Sequence, residues 1–141
     1  MDKQILGIYN SLQEIAWDFG SRGMNGECCE DLSFIEFMAL KKISENAEIS
    51  VQEVGNYLNI TKSGATKIIN RLEQKGYATR KTSPADGRVC CVCITVKGTE
   101  VMSRIIGQYI NHIEAILRNL EPGTINEIES ALRLFSGITK S

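Results

Sequence analysis

Apolar residues run from Ile5 through Leu12, Ile15, Ala16 and Phe19 at helical steps, which predicts an amphipathic helix that the Gly20 to Gly26 stretch ends. Ser33 followed three residues later by Glu36 forms a capping box opening a second helix, with Phe37, Leu40 and Ile43 on its apolar face. Ser50 and Glu53 repeat the signal ahead of a third helix striped by Val51, Val54 and Leu58. Asn59 marks a turn, because asparagine tolerates a left-handed backbone. Thr61 then caps a fourth helix whose Ala65, Ile68, Ile69 and Leu72 face inward and which stops at Gly76.

Beyond Gly76 the pattern becomes extended. Tyr77 to Lys81 and Arg88 to Val96 read as two strands joined by the turn-forming Ser83-Pro84-Ala85-Asp86-Gly87. Val101, Ile105, Tyr109, Ile113, Ile116, Leu117 and Leu120 form one long helical stripe. Pro122 breaks it, and Thr124 with Glu127 caps a last helix carrying Ile128, Leu132, Phe135 and Ile138. The expected fold is mainly α with a small β-hairpin wing. The terminal helices lie outside the central elements, and the simplest burial for their stripes is against the same helices of a second copy.

Length and composition fit one folded domain: 141 residues, 43% hydrophobic and 23% charged. No run approaches the roughly 18 apolar residues of a membrane span, and the first residues do not read as a secretory leader, so the cytoplasm is the expected location. The formal net charge of −1 hides an uneven distribution. Residues 1–58 carry four basic and ten acidic side chains, residues 59–90 seven and two, and the rest five of each, giving −6, +5 and 0. A basic middle in a mildly acidic chain suits a phosphate-contacting surface, because counterion release depends on the local cluster.

The chemistry-bearing segment is SVQEVGNYLNITKSGATKIINRLEQKG, residues 50–76, two short helices around a tight turn. With the apolar face of the second helix turned inward, Thr61, Lys62, Ser63, Thr66, Lys67, Asn70 and Arg71 are left outside, as hydroxyl, amide and cationic groups able to reach base edges or phosphates. Helix-turn-helix proteins place that second helix in the major groove. An enzyme is not expected. The single histidine, His112, leaves no evident nucleophile–base set, and there is no phosphate-binding glycine loop or metal-ligand cluster. No cofactor is expected either.

From LSFIEFMALKKI through ISVQEVGNYLNITKSGATKIINRLEQKGYATRKTSPADGRVCCVCITVKG, about residues 32–98, the chain resembles the MarR family of winged helix-turn-helix regulators. The specific marks are Arg71-Leu72-Glu73-Gln74-Lys75-Gly76-Tyr77, Arg80, Asp86-Gly87-Arg88 and Ile94-Thr95-Val96-Lys97-Gly98. The resemblance implies one MarR-like domain over residues 1–141, with residues 1–31 and 99–141 as dimerisation helices and 32–98 as the DNA-binding lobe. It implies a homodimeric, effector-responsive regulator, by preference a repressor, on a palindromic operator in double-stranded DNA. It further implies that Arg80 and Lys81 of the wing join the contact set, that Arg88 enters the minor groove, and that Asp86 holds Arg88 in position. Gly55 stands where the family usually has alanine, and Asn59 where it usually has glycine.

Cys28, Cys29, Cys90, Cys91 and Cys93 make an odd number without zinc spacing, so neither a disulfide framework nor a metal site is expected. Two readings stand. The thiols are small packing residues, or they make the protein a thiol- or metal-responsive regulator, Cys28 or Cys29 meeting a wing cysteine or a second subunit. Family resemblance adds a small-molecule effector, for which Trp17, Phe19, Phe34, Phe37 and Met38 could line a cleft or simply fill the core. A further alternative is a winged-helix protein-interaction module that binds no DNA. Packing cysteines predict equal DNA affinity before and after peroxide treatment; a loss that Cys28→Ser/Cys29→Ser abolishes identifies sensing thiols.

Overall fold

The computed structural model describes residues 2–21, 30–82 and 87–140. Helix α1 is Lys3–Ser21, α2 Phe34–Ser44, α3 Val51–Leu58 and α4 Lys62–Gln74; strands β1, Ala78–Thr82, and β2, Val89–Ile94, follow, then α5, Val96–Leu117, and α6, Pro122–Thr139. Two compact units result, Met1–Ile106 and Gly107–Ser141. Ser83 to Asp86 of the expected turn, and the Arg22 to Gly26 part of the stretch expected to end α1, lie outside the described residues.

The helix starts show how the local code operates. At Ser33 both halves of the capping box form: the Ser33 Oγ accepts from the Glu36 N–H at 3.2 Å, and Glu36 Oε1 accepts from the Ser33 N–H at 2.8 Å. At Ser50 only one half forms. Its Oγ accepts from the Glu53 N–H at 3.0 Å, but the Glu53 carboxylate accepts a hydrogen bond from the Ser50 hydroxyl, also at 3.0 Å, instead of reaching the backbone N–H. Asn59 is left-handed, at φ 58° and ψ 45°, and ends α3 as expected. Thr61 caps α4 by accepting from the Gly64 N–H at 3.0 Å.

α6 corrects the sequence reading. It begins at Pro122 with Glu121 as its cap, so Thr124 lies inside the helix and caps nothing. Proline at the first helical position surrenders an N–H that has no helical partner anyway, and its fixed φ already suits the helix. α5 itself ends earlier than expected, at Leu117, so Leu120 lies outside its stripe and Pro122 starts α6 without breaking α5.

In the first unit, α2, α3 and α4 pack on one another, with β2 against α2 and β1 against α4. Leu40, Ile43, Val54, Ile69, Leu72, Val92, Val101 and Ile105 are fully buried at the centre. β1 and β2 pair antiparallel from Ala78↔Ile94 to Thr82↔Val89, with an irregularity between Lys81 and Thr82. Ile49 exchanges two backbone hydrogen bonds with Val92, adding one residue of a third strand. Consequently Cys91, Val92 and Cys93 are all buried, and the alternation expected of a half-exposed hairpin is absent here. The Cys93 thiol lies 3.3 Å from the Ala47 carbonyl.

One junction joins helix, wing and α5. The Thr95 hydroxyl donates to the Gly76 carbonyl at 2.6 Å and accepts from the Gly98 N–H at 3.0 Å, and the Thr95 N–H donates to the Tyr77 carbonyl at 3.0 Å. Gly76 has φ +82°, a left-handed value suited to glycine. At Gly98 the constraint is space: a Cβ there would overlap the Tyr77 carbonyl oxygen and lie 2.8 Å from Ile94 Cγ1.

The apolar stripes of α1 and α6 are exposed in the single chain. Ile5 is 60% and Ile15 51% accessible in α1, and Leu132 53% and Ile138 58% in α6.

Gly98→Ala is expected to destabilise the protein by about 2–3 kcal/mol, since the overlap is with backbone and exceeds the roughly 1 kcal/mol gained in helix propensity. Urea denaturation reads the change; an unaltered midpoint would show that α5 can move away from Tyr77 without loss.

Candidate nucleic-acid interface

The outward face of α4 follows from its inward one. With Ala65, Ile68, Ile69 and Leu72 buried, Lys62, Ser63, Lys67, Asn70 and Arg71 are exposed, Thr66 is half-buried, and Thr61 is exposed at the cap. Ser63, Lys67 and Asn70 recur at four and three residues, hence on one side of the helix. α3 braces α4 closely: a Cβ on Gly55 would stand 3.3 Å from Ala65 Cβ. The absent methyl lets the two helices approach.

Hydrogen bonds already made by these side chains limit what they can offer. The Thr66 hydroxyl donates to the Lys62 carbonyl at 2.9 Å, so its methyl and an oxygen lone pair are what it presents outward. Arg80, half-buried on β1, ion-pairs through Nη1 with Glu73 and donates through Nη2 to Asn70 Oδ1 at 2.8 Å. Sequence reasoning placed Arg80 and Asn70 in one contact set; the structure brings them into direct contact with each other, with Glu73 holding the other arm of the guanidinium. Lys81 is exposed next to Arg80. Arg88 is exposed beside Gly87, whose φ is +72°. Asp86, and with it the expected Asp86–Arg88 pairing, lies outside the described residues, as do Cys28, Cys29 and the side chain of Cys90.

A second polar cluster, not anticipated from sequence, braces the rear of the lobe. Lys75, capping α4, donates to the Asp31 carbonyl and sits 3.2 Å from Glu36 Oε1. Glu36 is only 4% accessible. Burial pushes its carboxyl up, but the Ser33 N–H and the Lys75 ammonium outweigh burial and hold it below the ordinary carboxylate value. The Tyr77 hydroxyl donates to Asp31 Oδ1 at 2.7 Å, and Arg104 of α5 binds Glu30 through two hydrogen bonds, at 2.9 and 3.1 Å. These partners are 39 to 74 residues apart, so no local pattern could have announced them.

Of the aromatic and methionine positions considered for an effector cleft, Phe37 is core, whereas Trp17, Phe19 and Phe34 are exposed. Among the described residues no group of His, Cys, Asp and Glu could hold a metal ion, and no helix is long and apolar enough to cross a membrane.

Comparison with known proteins matches this geometry. A profile of the MarR family matches residues 30–89. The HTH-type transcriptional regulator BilQ of Clostridioides difficile is 33% identical over 75 residues, 51% of this chain and 51% of that protein. The chain spans about half the length of the curated relatives it matches. A MarR family protein from Bacillus stearothermophilus superposes with a TM-score of 0.88 at 19% identity, covering 100% of this chain and 99% of that one. Streptococcus pneumoniae FabT, solved in complex with DNA, gives a TM-score of 0.77 at 22% identity, covering 99% and 98%.

Burial first, and then the hydrogen bond to Asp31, push the Tyr77 phenol up to about 12 from the ordinary 10.0. Because the folded value is raised, this contribution to stability is complete below pH 10 and is lost as pH rises from 10 to about 12. The difference between ultraviolet titrations of wild type and Tyr77→Phe isolates that step; a difference step at the ordinary value would remove the Asp31 bond.

Proposed function

We propose that the chain is a MarR-family winged helix-turn-helix protein, a sequence-specific regulator of transcription that binds double-stranded DNA as a homodimer. The observation that carries the reading is the exposed face of α4, where Lys62, Ser63, Lys67, Asn70 and Arg71 stand together on a helix fixed from behind by four buried apolar residues. α4 enters the major groove, its N-terminal amides and dipole favouring a phosphate. Lys81 and Arg88 follow the hairpin to the neighbouring backbone and minor groove, where a guanidinium senses the enhanced negative potential of a narrow groove.

The exposed stripes of α1 and α6 support the dimer: their apolar side chains need a partner surface, and a two-fold copy supplies both at once. Two α4 helices then read the halves of a palindrome about one helical turn apart. Repression is the simplest outcome, since a dimer clamped on a promoter excludes polymerase. The regulator works in the cytoplasm with its DNA, and an effector acts by changing the spacing of the two α4 helices. Cys91 and Cys93 are buried, which supports a packing role for that pair and leaves a thiol response to Cys28, Cys29 and Cys90.

Labelled DNA from upstream of the chain's own gene should bind tightly at low salt, with two chains per site by sedimentation. Lys67→Ala should weaken binding evenly across sequences and reduce the salt slope by about 1, and Arg88→Ala should weaken it about tenfold. Unchanged affinity in both variants at physiological salt would displace the interface from this face, and absence of salt-sensitive binding in the wild type would leave a protein-interaction module.

A further inference from the structure

The contact between Arg80 and Asn70 limits which base the helix can read. A guanidinium has only donors, so the Asn70 atom 2.8 Å from Arg80 Nη2 must be the carbonyl oxygen, and the amide orientation is fixed by chemistry. Glu73 holds the other arm of Arg80 one turn along α4, so the guanidinium is anchored at both ends to the helix it braces. With one lone pair of its oxygen taken by Arg80, the exposed Asn70 has its NH2 group as the uncommitted half of the amide.

An asparagine reads adenine by using both amide atoms, accepting from N6 and donating to N7. Here one lone pair of the accepting oxygen is taken by a cationic donor, so an adenine amine approaching the other lone pair would also meet the N–H groups and positive charge of Arg80, donor against donor. Guanine presents the opposite edge: N7 and O6 are both acceptors, matching the two amide N–H bonds and the nearby positive charge. We propose that Arg80 is a positioning residue that biases Asn70 toward donating to DNA, so that each α4 selects guanine over adenine at the base pair Asn70 faces. This rests on the DNA-binding reading above.

The test uses the full-length protein and an operator identified by its own binding, with each base pair of one half-site replaced in turn. The wild type should prefer guanine to adenine at one position by roughly tenfold, within the range of a good amide–base contact. Asn70→Ala should abolish that preference there and nowhere else. Arg80→Met removes the donors while keeping an unbranched apolar stem, and adenine should rise to equal or exceed guanine at the same position; taking the ratio within each variant cancels any general loss of affinity. Glu73→Gln, which loosens Arg80 without deleting it, should shift the ratio the same way by a smaller factor, and decides the matter if Arg80→Met does not fold.

An unchanged guanine-to-adenine ratio in the folded Arg80 or Glu73 variant overturns the proposal. So does a wild-type preference for adenine or cytosine at the position Asn70→Ala affects. Failure of the wild type to bind any DNA specifically is a separate result, and overturns the DNA-binding reading on which the proposal rests.

Discussion

The placement of the hairpin beside α4 depends on a close approach of three chain segments at Thr95 and Gly98. A helix ends with carbonyl groups that its own backbone cannot satisfy, and at the end of α4 the Thr95 hydroxyl takes the one on Gly76. The same residue ties the Tyr77 carbonyl and the first turn of α5. Because Gly98 has no side chain, α5 can begin directly against the backbone of Tyr77. The direction in which the hairpin leaves α4 is thereby set by hydrogen bonds to main-chain atoms, which do not change rotamer. With that angle fixed, the exposed faces of α4 and the hairpin form one continuous surface.

Electrostatics is then distributed over a frame already determined by packing. The exposed cations of α4 and the wing face outward, while Lys75 turns back toward Glu36 and the Asp31 carbonyl. Arg80 belongs to neither group: between Glu73 and Asn70 it converts a basic side chain into a support for a neighbour. Net positive charge in residues 59–90 therefore overstates how many cations stand free toward solvent, and understates how much order exists among those that do not.

Where the code is local, the sequence was readable. Ser33, Asn59 and Thr61 end or begin helices as their side chains dictate, and the inward stripe of α4 is buried residue for residue. Two local signals failed for physical reasons. Glu53 found the Ser50 hydroxyl before the backbone N–H, and Pro122 nucleated α6 ahead of Thr124. The position of the α4 face was legible in the same way, but the hydrogen-bond state of its side chains was not. Arg80 meets Asn70 because a hairpin folds back beside a helix, and that closure is a property of the assembled lobe. Tyr77 and Asp31 meet for the same kind of reason across 46 residues.

The Asp31–Tyr77 hydrogen bond has a mechanical consequence. It fastens the chain just ahead of α2 to the residue from which the wing departs, with Lys75 holding the adjacent carbonyl of Asp31. A pull on the backbone at Asp31 must either be followed by the root of the wing or break a 2.7 Å bond formed by a phenol removed from water. The segment before α2 thus acts on the hairpin as a short, stiff tether, transmitting displacement over a few ångströms of space although the two ends are distant in the chain.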